Sequence, residues 1–290
     1  MIFRTEVALP PCGFRLDTTS HVLLLGSCFA ESVGERLQDA LPDGHVAVNP
    51  CGVLYNPASV AQALRLLMAD EATQEHELAE SLFMADDGRW HSWLMSTKFT
   101  GATREECLQV CLDAIHAATQ LLGRTSPLLI ITLGTDHCYV LRDDGRVVAN
   151  CHKVPAARFS EEQATLDTLQ AAISTACRRC EGLHVVLTVS PYRYAKYGYH
   201  ESQLSKSRLL VGADAIVSEN ARASYFPAYE IVLDELRDYR FYAADMLHPS
   251  EQAADYIYER FAAWCFTPEL TAYAKERERT LRRLRHRPIV

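Results

Sequence analysis

Short apolar runs alternate along this chain with stretches in which apolar residues recur every three or four positions. "HVLLLG" (21–26) reads as a buried strand, "ESVGERLQDAL" (31–41) as an amphipathic helix, "HVAVN" (45–49) as a strand, and 59–70 as a helix entered after Asn56-Pro57. Residues 71–100 are polar and irregular and read as an insertion carrying a strand or two. A long helix follows over 103–123, opened by Thr103 and Glu106 at capping-box spacing, and then "PLLIITLG" (127–134), the most apolar strand of the chain. Residues 138–150 read as a hairpin turning at Asp144-Gly145. A helix over 160–180, a strand over 184–190, a loop rich in Tyr and Pro, a helix over 205–221, a short strand over 229–233 and a helix over 249–265 complete the order.

Strands alternating with helices predict an α/β fold with a mostly parallel sheet covered on both faces, whose ligands lie beyond the carboxyl ends of the strands. The 290 residues, 48% of them hydrophobic, suffice for one large core, and no internal repeat or low-complexity linker interrupts them. The net charge of −8 gives no overall attraction to nucleic acid or anionic lipid, so no nucleic-acid partner is expected. No stretch reaches the roughly 18 apolar residues of a membrane span, and "MIFRTEVALPPCGF" lacks a basic region followed by a long apolar core. The chain therefore reads as soluble, unexported and cytoplasmic. Its ten cysteines lie in apolar or helical stretches and read as reduced thiols; Cys177 and Cys180 form a C-x-x-C without a second pair, so neither metal nor cofactor is expected. Past Thr271 the chain turns basic (Lys275, Arg277, Arg279, Arg282, Arg283, Arg285, Arg287), which suits an anionic partner but is more often a solvated helix.

"GSCFAESVG" (26–34) places two nucleophile candidates, Ser27 and Cys28, where a strand turns into a helix. Free N–H groups at a helix start can hold an oxyanion, and the helix dipole favours a thiolate or alkoxide. A nucleophile needs a base and the base an orienting group, and Asp245 and His248 are three residues apart just before a helix. His91, His137 and His152 have no such carboxylate at useful spacing and read as packing residues. The tyrosines of 190–200 could line an acyl or sugar pocket or simply wall the loop, and Arg193, Lys196 and Lys206 could meet an anionic group there.

The strings "GSCFA" (26–30), "NPCGVLYNP" (49–57), "TLGT" (132–135), "NCHK" (150–153), "SPYR" (190–193), "YFPAYE" (225–230) and "RDYRFYAADMLHPS" (237–250) resemble the GSCFA family over most of the chain. The blocks are in turn similar to those of the SGNH, or GDSL-like, hydrolase superfamily. That resemblance implies a three-layer, flavodoxin-like fold, with a domain over 1–266 and a basic helical extension over 267–290. It also implies a triad in which Asp245 orients His248 and His248 deprotonates the nucleophile. Aligning Gly26 and Gly34 with the ends of the first block puts Cys28 at the nucleophile position, though Ser27 stays open. Lowering of the thiol pKa by the helix start and an imidazolium would suit Cys28. The oxyanion would be held by the N–H groups of Cys28 and Gly52, with Thr135 standing in because Asp136 occupies the usual Asn position of the third block. Asn56, Asn150, His152 and Arg193 are candidates for substrate contact, or for holding loops together.

These readings converge on an acyl-ester hydrolase or O-acyltransferase acting on a small acylated substrate such as an O-acylated carbohydrate. The rival is a non-catalytic binding module that keeps the fold. Oligomeric state is not legible in the sequence.

Overall fold

Val22 and Leu24 belong to one buried cluster and Leu23 and Leu25 to another, so the first strand is covered on both faces and lies inside the molecule. The computed structural model describes residues 4–285; residues 1–3, Arg287 and the side chain of Arg285 lie outside the described residues. The chain begins β1 (Val22–Gly26), α1 (Cys28–Ala40), β2 (Val46–Val48), α2 (Pro57–Met68), α3 (Glu71–Glu80), β3 (Leu82–Met84), β4 (Trp90–Ser92), α4 (Arg104–Leu122) and β5 (Leu128–Leu133). It continues β6 (His137–Leu141), β7 (Val147–Val148), β8 (Phe159–Gln163), α5 (Asp167–Arg179), β9 (His184–Val189), α6 (Tyr199–Glu219), β10 (Ala223–Tyr225), α7 (Ala228–Glu230), α8 (Glu251–Cys265) and α9 (Pro268–Arg285).

The central sheet has the order β10-β9-β5-β1-β2, and each neighbouring pair is parallel. Successive strands are added outward in opposite senses from β1 and β5, which makes the carboxyl ends of these two a topological switch point. Helices α2, α4, α5 and α6 cover one face and α1, α8 and the start of α9 the other, giving the expected three layers. A small antiparallel sheet, β7-β6-β8, and the hairpin β3-β4 share a separate apolar cluster around Trp93 and Phe159.

Several expectations needed correction. Helix α1 starts at Cys28 rather than Glu31, with Ser27 as its N-cap residue. Within the supposed irregular insertion, α3 forms with Asp70 accepting from the Thr73 N–H; it buries only Gln74 and Leu78, too few positions to show a periodicity. The first part of the helix expected over 160–180 is instead β8, paired with β6 from Phe159 to Gln163. The short strand expected over 229–233 lies earlier, as the edge strand β10, whereas Ala228, Tyr229, Ile231 and Val232 are buried at helical spacing in α7 and the π-helical turn after it. α9 buries Leu270 against the α1 and α8 layer and pairs Arg277 with Asp43, while Arg279 and Arg282 pair within the helix. Among the described residues no helix is long and apolar enough to cross a membrane.

Gly26 is fixed by geometry: its φ is +146°, and a Cβ there would stand 2.2 Å from the Thr132 carbonyl oxygen of β5. Gly26→Ala is expected to lose about 3 kcal/mol in urea unfolding, since backbone strain and backbone clash add. His184, buried at the start of β9 against Phe14 and hydrogen-bonded to Ser224 Oγ at 3.0 Å, is pushed down to about 4 first by burial and then by Arg222. The unfolded chain then binds its proton more tightly, so unfolding free energy should fall by about 2–3 kcal/mol from pH 6.5 to 4, and His184→Phe should flatten that slope.

Candidate functional site

At the end of β1 three chain segments are tied together. The Gly26 N–H donates to Asn49 Oδ1 at 2.9 Å, its carbonyl accepts from the Leu54 N–H at 2.8 Å, and the Ser27 N–H donates to the Thr132 carbonyl at 3.1 Å. Asn49 holds this geometry with φ +47°, in the left-handed region that Asn tolerates better than most residues. The backbone then enters α1 at once, which puts the Cys28 side chain on the first turn. Ser27 is 1% exposed and its hydroxyl has no hydrogen-bond partner among the described residues, whereas Cys28 is only half-buried.

The Cys28 thiol is raised rather than lowered. Burial is the main cause and Glu31 adds to it, while the Phe29 and Cys28 N–H groups and the charge of Lys206 pull the other way. Tyr55 and Tyr192 stand in the field of the same sulfur, and burial pushes Tyr55 up to about 12.

Asp245 and His248 form the expected pair. Asp245 Oδ2 accepts from His248 Nδ1 at 2.5 Å, and Oδ1 takes the backbone N–H groups of Leu247 and His248 at 2.9 and 3.0 Å. Those bonds, the imidazole first, hold the Asp245 carboxyl down at about 2. Nε2 of His248 makes no hydrogen bond among the described residues, so it is open to a reacting group. Tyr192 connects the two halves: its ring centroid is 4.4 Å from that of His248, and its hydroxyl is raised by burial and by the nearby charges of Cys28 and Asp245.

The remaining sequence candidates are drawn into structural bonds. The Gly52 N–H donates to the Asn49 carbonyl at 2.7 Å, and a Cβ at Gly52 (φ +82°) would overlap Ser96 Oγ. The Thr135 N–H donates to the Tyr55 carbonyl at 3.0 Å, and Thr135 Oγ1 accepts from the His137 N–H and meets Ser205 Oγ. Of the donors expected at the oxyanion, the Gly52 and Thr135 N–H groups are therefore already occupied. Asp136 is buried and turned to Arg208 at 2.9 Å. Asn56 caps α2 by accepting from the Ser59 N–H, Asn150 accepts from the His152 N–H, and His152 Nε2 bonds the Ser92 carbonyl at 3.0 Å. His152 sits in a ring cluster with Phe83, His91 and Trp93, and burial pushes it down to about 4. Arg193 braces the Asp245–His248 turn, giving its N–H to the Leu247 carbonyl at 3.0 Å and its guanidinium to the Met246 carbonyl at 2.9 Å, stacked among Tyr199, Tyr239 and Tyr242.

Compared with known proteins, the chain matches the model described as the GSCFA family over residues 21–261, from β1 into α8. No curated protein matches it.

In the sequence Asn49 carried no assigned role, and Lys206 stood with Arg193 and Lys196 as a cation that could meet an anionic group. Asn49 precedes a proline and so reads as a turn residue. Lys206 was findable, since it falls in the buried stripe Ser202, Ser205, Leu209, Ala213 and Ile216 of α6. Asn49→Ala removes the acceptor of a buried N–H and should destabilise the fold by about 1–3 kcal/mol in urea unfolding.

Proposed function

The chain belongs to the GSCFA family, and on that footing we propose that it is an acyl-ester hydrolase or O-acyltransferase whose nucleophile is Cys28. The observation carrying this reading is the contrast at the switch point: Cys28 is only partly buried on the first turn of α1, whereas Ser27 beside it is sealed. The Asp245–His248 pair, reached through Tyr192, supplies the base.

In this mechanism His248 Nε2 takes the proton from the Cys28 thiol, with Nδ1–H held by Asp245. The thiolate sulfur adds to the ester carbonyl, and the N–H groups of Cys28 and Phe29, which already face the sulfur, are the donors at hand for the oxyanion. Collapse of the tetrahedral species breaks the bond to the alkoxide, which leaves with the proton from His248 and gives a thioester. Water or a sugar hydroxyl then attacks that thioester, His248 taking its proton and returning it to the Cys28 sulfur as the acyl group departs. The tyrosines Tyr55, Tyr192 and Tyr194 suit a small polar acylated substrate such as an O-acylated carbohydrate, because an aromatic face packs on sugar C–H groups while the hydroxyl remains a donor.

The occupied amides of Gly52 and Thr135 favour, as a second reading, a binding module that keeps the fold without turnover. Hydrolysis of p-nitrophenyl acetate and of O-acetylated oligosaccharides separates the two. Cys28→Ala and His248→Ala should each lower turnover by at least about a thousandfold, with Ser27→Ala much milder. Activity lost in Ser27→Ala but kept in Cys28→Ala would move the role to Ser27, and binding of the oligosaccharide without turnover would support the module.

A further inference from the structure

At the carboxyl edge of the sheet lies a buried cation that the mechanism above does not use. Lys206 on α6 is 2% exposed, and its Nζ donates to the Gly134 carbonyl at 2.6 Å and the Ser190 carbonyl at 2.7 Å. Those carbonyls terminate β5 and β9, so the amine is pinned at the carboxyl edge of the sheet. Gly134 is also where the third block meets the first: a Cβ there would stand 3.6 Å from Ser27 Cβ and 3.3 Å from Tyr55. The lysine thus belongs to the layer of the structure that holds the "GSCFA" turn.

Two neutral carbonyls do not require a charge to join them, and a buried ammonium is costly unless an anion repays its dehydration. Among the described residues no carboxylate pairs with Lys206. The groups around it are the ring of Tyr229, 5.8 Å from Nζ, and Cys28, whose sulfur faces Glu31 on its own helix and Tyr55 and Tyr192 from the loops after β2 and β9. Cys28 is the group of this set whose charge acts on Lys206, while Glu31 acts on the thiol as a repelling charge.

We propose that Lys206 is a positioning residue that supplies the buried positive charge against which the Cys28 thiolate forms. The inference rests on Cys28 being the nucleophile. Its consequence is reciprocal: the ammonium lowers the thiol, and the thiolate favours the proton on an amine that burial pushes down, to about 7 with the sulfur's pull included. Proton loss from Cys28 and proton retention on Lys206 therefore go together, and the pair carries no net charge in its active form.

The test is the pH profile of Cys28 alkylation by iodoacetamide, with the labelled residue located by mass spectrometry and folding checked by thermal melting. Lys206→Gln keeps a donor for the carbonyls but no charge, and Lys206→Arg keeps the charge. The charge role predicts that Lys206→Gln moves the labelling midpoint up by about one pH unit and slows neutral labelling about tenfold, while Lys206→Arg stays within about threefold of the wild type. A folded Lys206→Gln variant that labels like the wild type overturns the proposal. Should that variant not fold, carbon-13 NMR of the Lys206 Cε decides in the intact lysine background: its titration midpoint should drop in Cys28→Ala, and an unchanged midpoint overturns the proposal. Neither readout needs turnover, so loss of the charge effect and absence of esterase activity are separate outcomes.

Discussion

One backbone crossing underlies the rest of this molecule. Where β1 ends, Gly26 passes so close to the Thr132 carbonyl of β5 that no side chain fits, and its own N–H and carbonyl are taken by Asn49 and Leu54 from the segment after β2. The three neighbouring strands β2, β1 and β5 are thereby tied at their carboxyl ends rather than only along their ladders. Because the chain enters α1 one residue later, the crossing also dictates which side chain is presented. Ser27 faces the sealed interior of the knot and Cys28 the first turn of the helix.

The electrostatics of the site follow from what surrounds each group. Asp245 lies at the surface in a turn whose N–H groups and imidazole all converge on its carboxylate, so its charge is stabilised from several directions. Cys28 receives weaker help from two N–H groups and a buried ammonium, and burial outweighs them. A thiol set this way keeps its proton at rest. Under the proposed function it would turn nucleophilic only when a base and a cation act on it together.

The aromatic loop after β9 joins the two halves of the site. Arg193, three residues past the sheet edge at Ser190, holds the carbonyls of Met246 and Leu247, and Tyr192 lays its ring on His248. The same strand end thus anchors Lys206 on one side and the histidine turn on the other. Met246, with φ +61°, takes the strained position that the Asp-x-x-His turn requires, and the Arg193 bond to its carbonyl helps hold it there.

The sequence by itself determined the alternating order of strands and helices, the buried character of β1, β5 and β9, the capping box at Thr103, and the Asp245–His248 pair. Each is written in local spacing: runs of buried apolar residues, a Thr and a Glu three apart, an Asp and a His within one turn. It went astray where burial contributes few positions or polar residues pair across strands, as in α3 and β8, and where a short apolar segment fits either period, as at 229–233. Only the tertiary structure decided that Cys28 is less buried than Ser27, that the Gly52 and Thr135 amides are taken, and that Lys206 is buried on the carbonyls that follow β5 and β9. Exposure, free hydrogen-bonding groups and buried charge depend on segments distant in the chain, and local spacing does not say which of them meet.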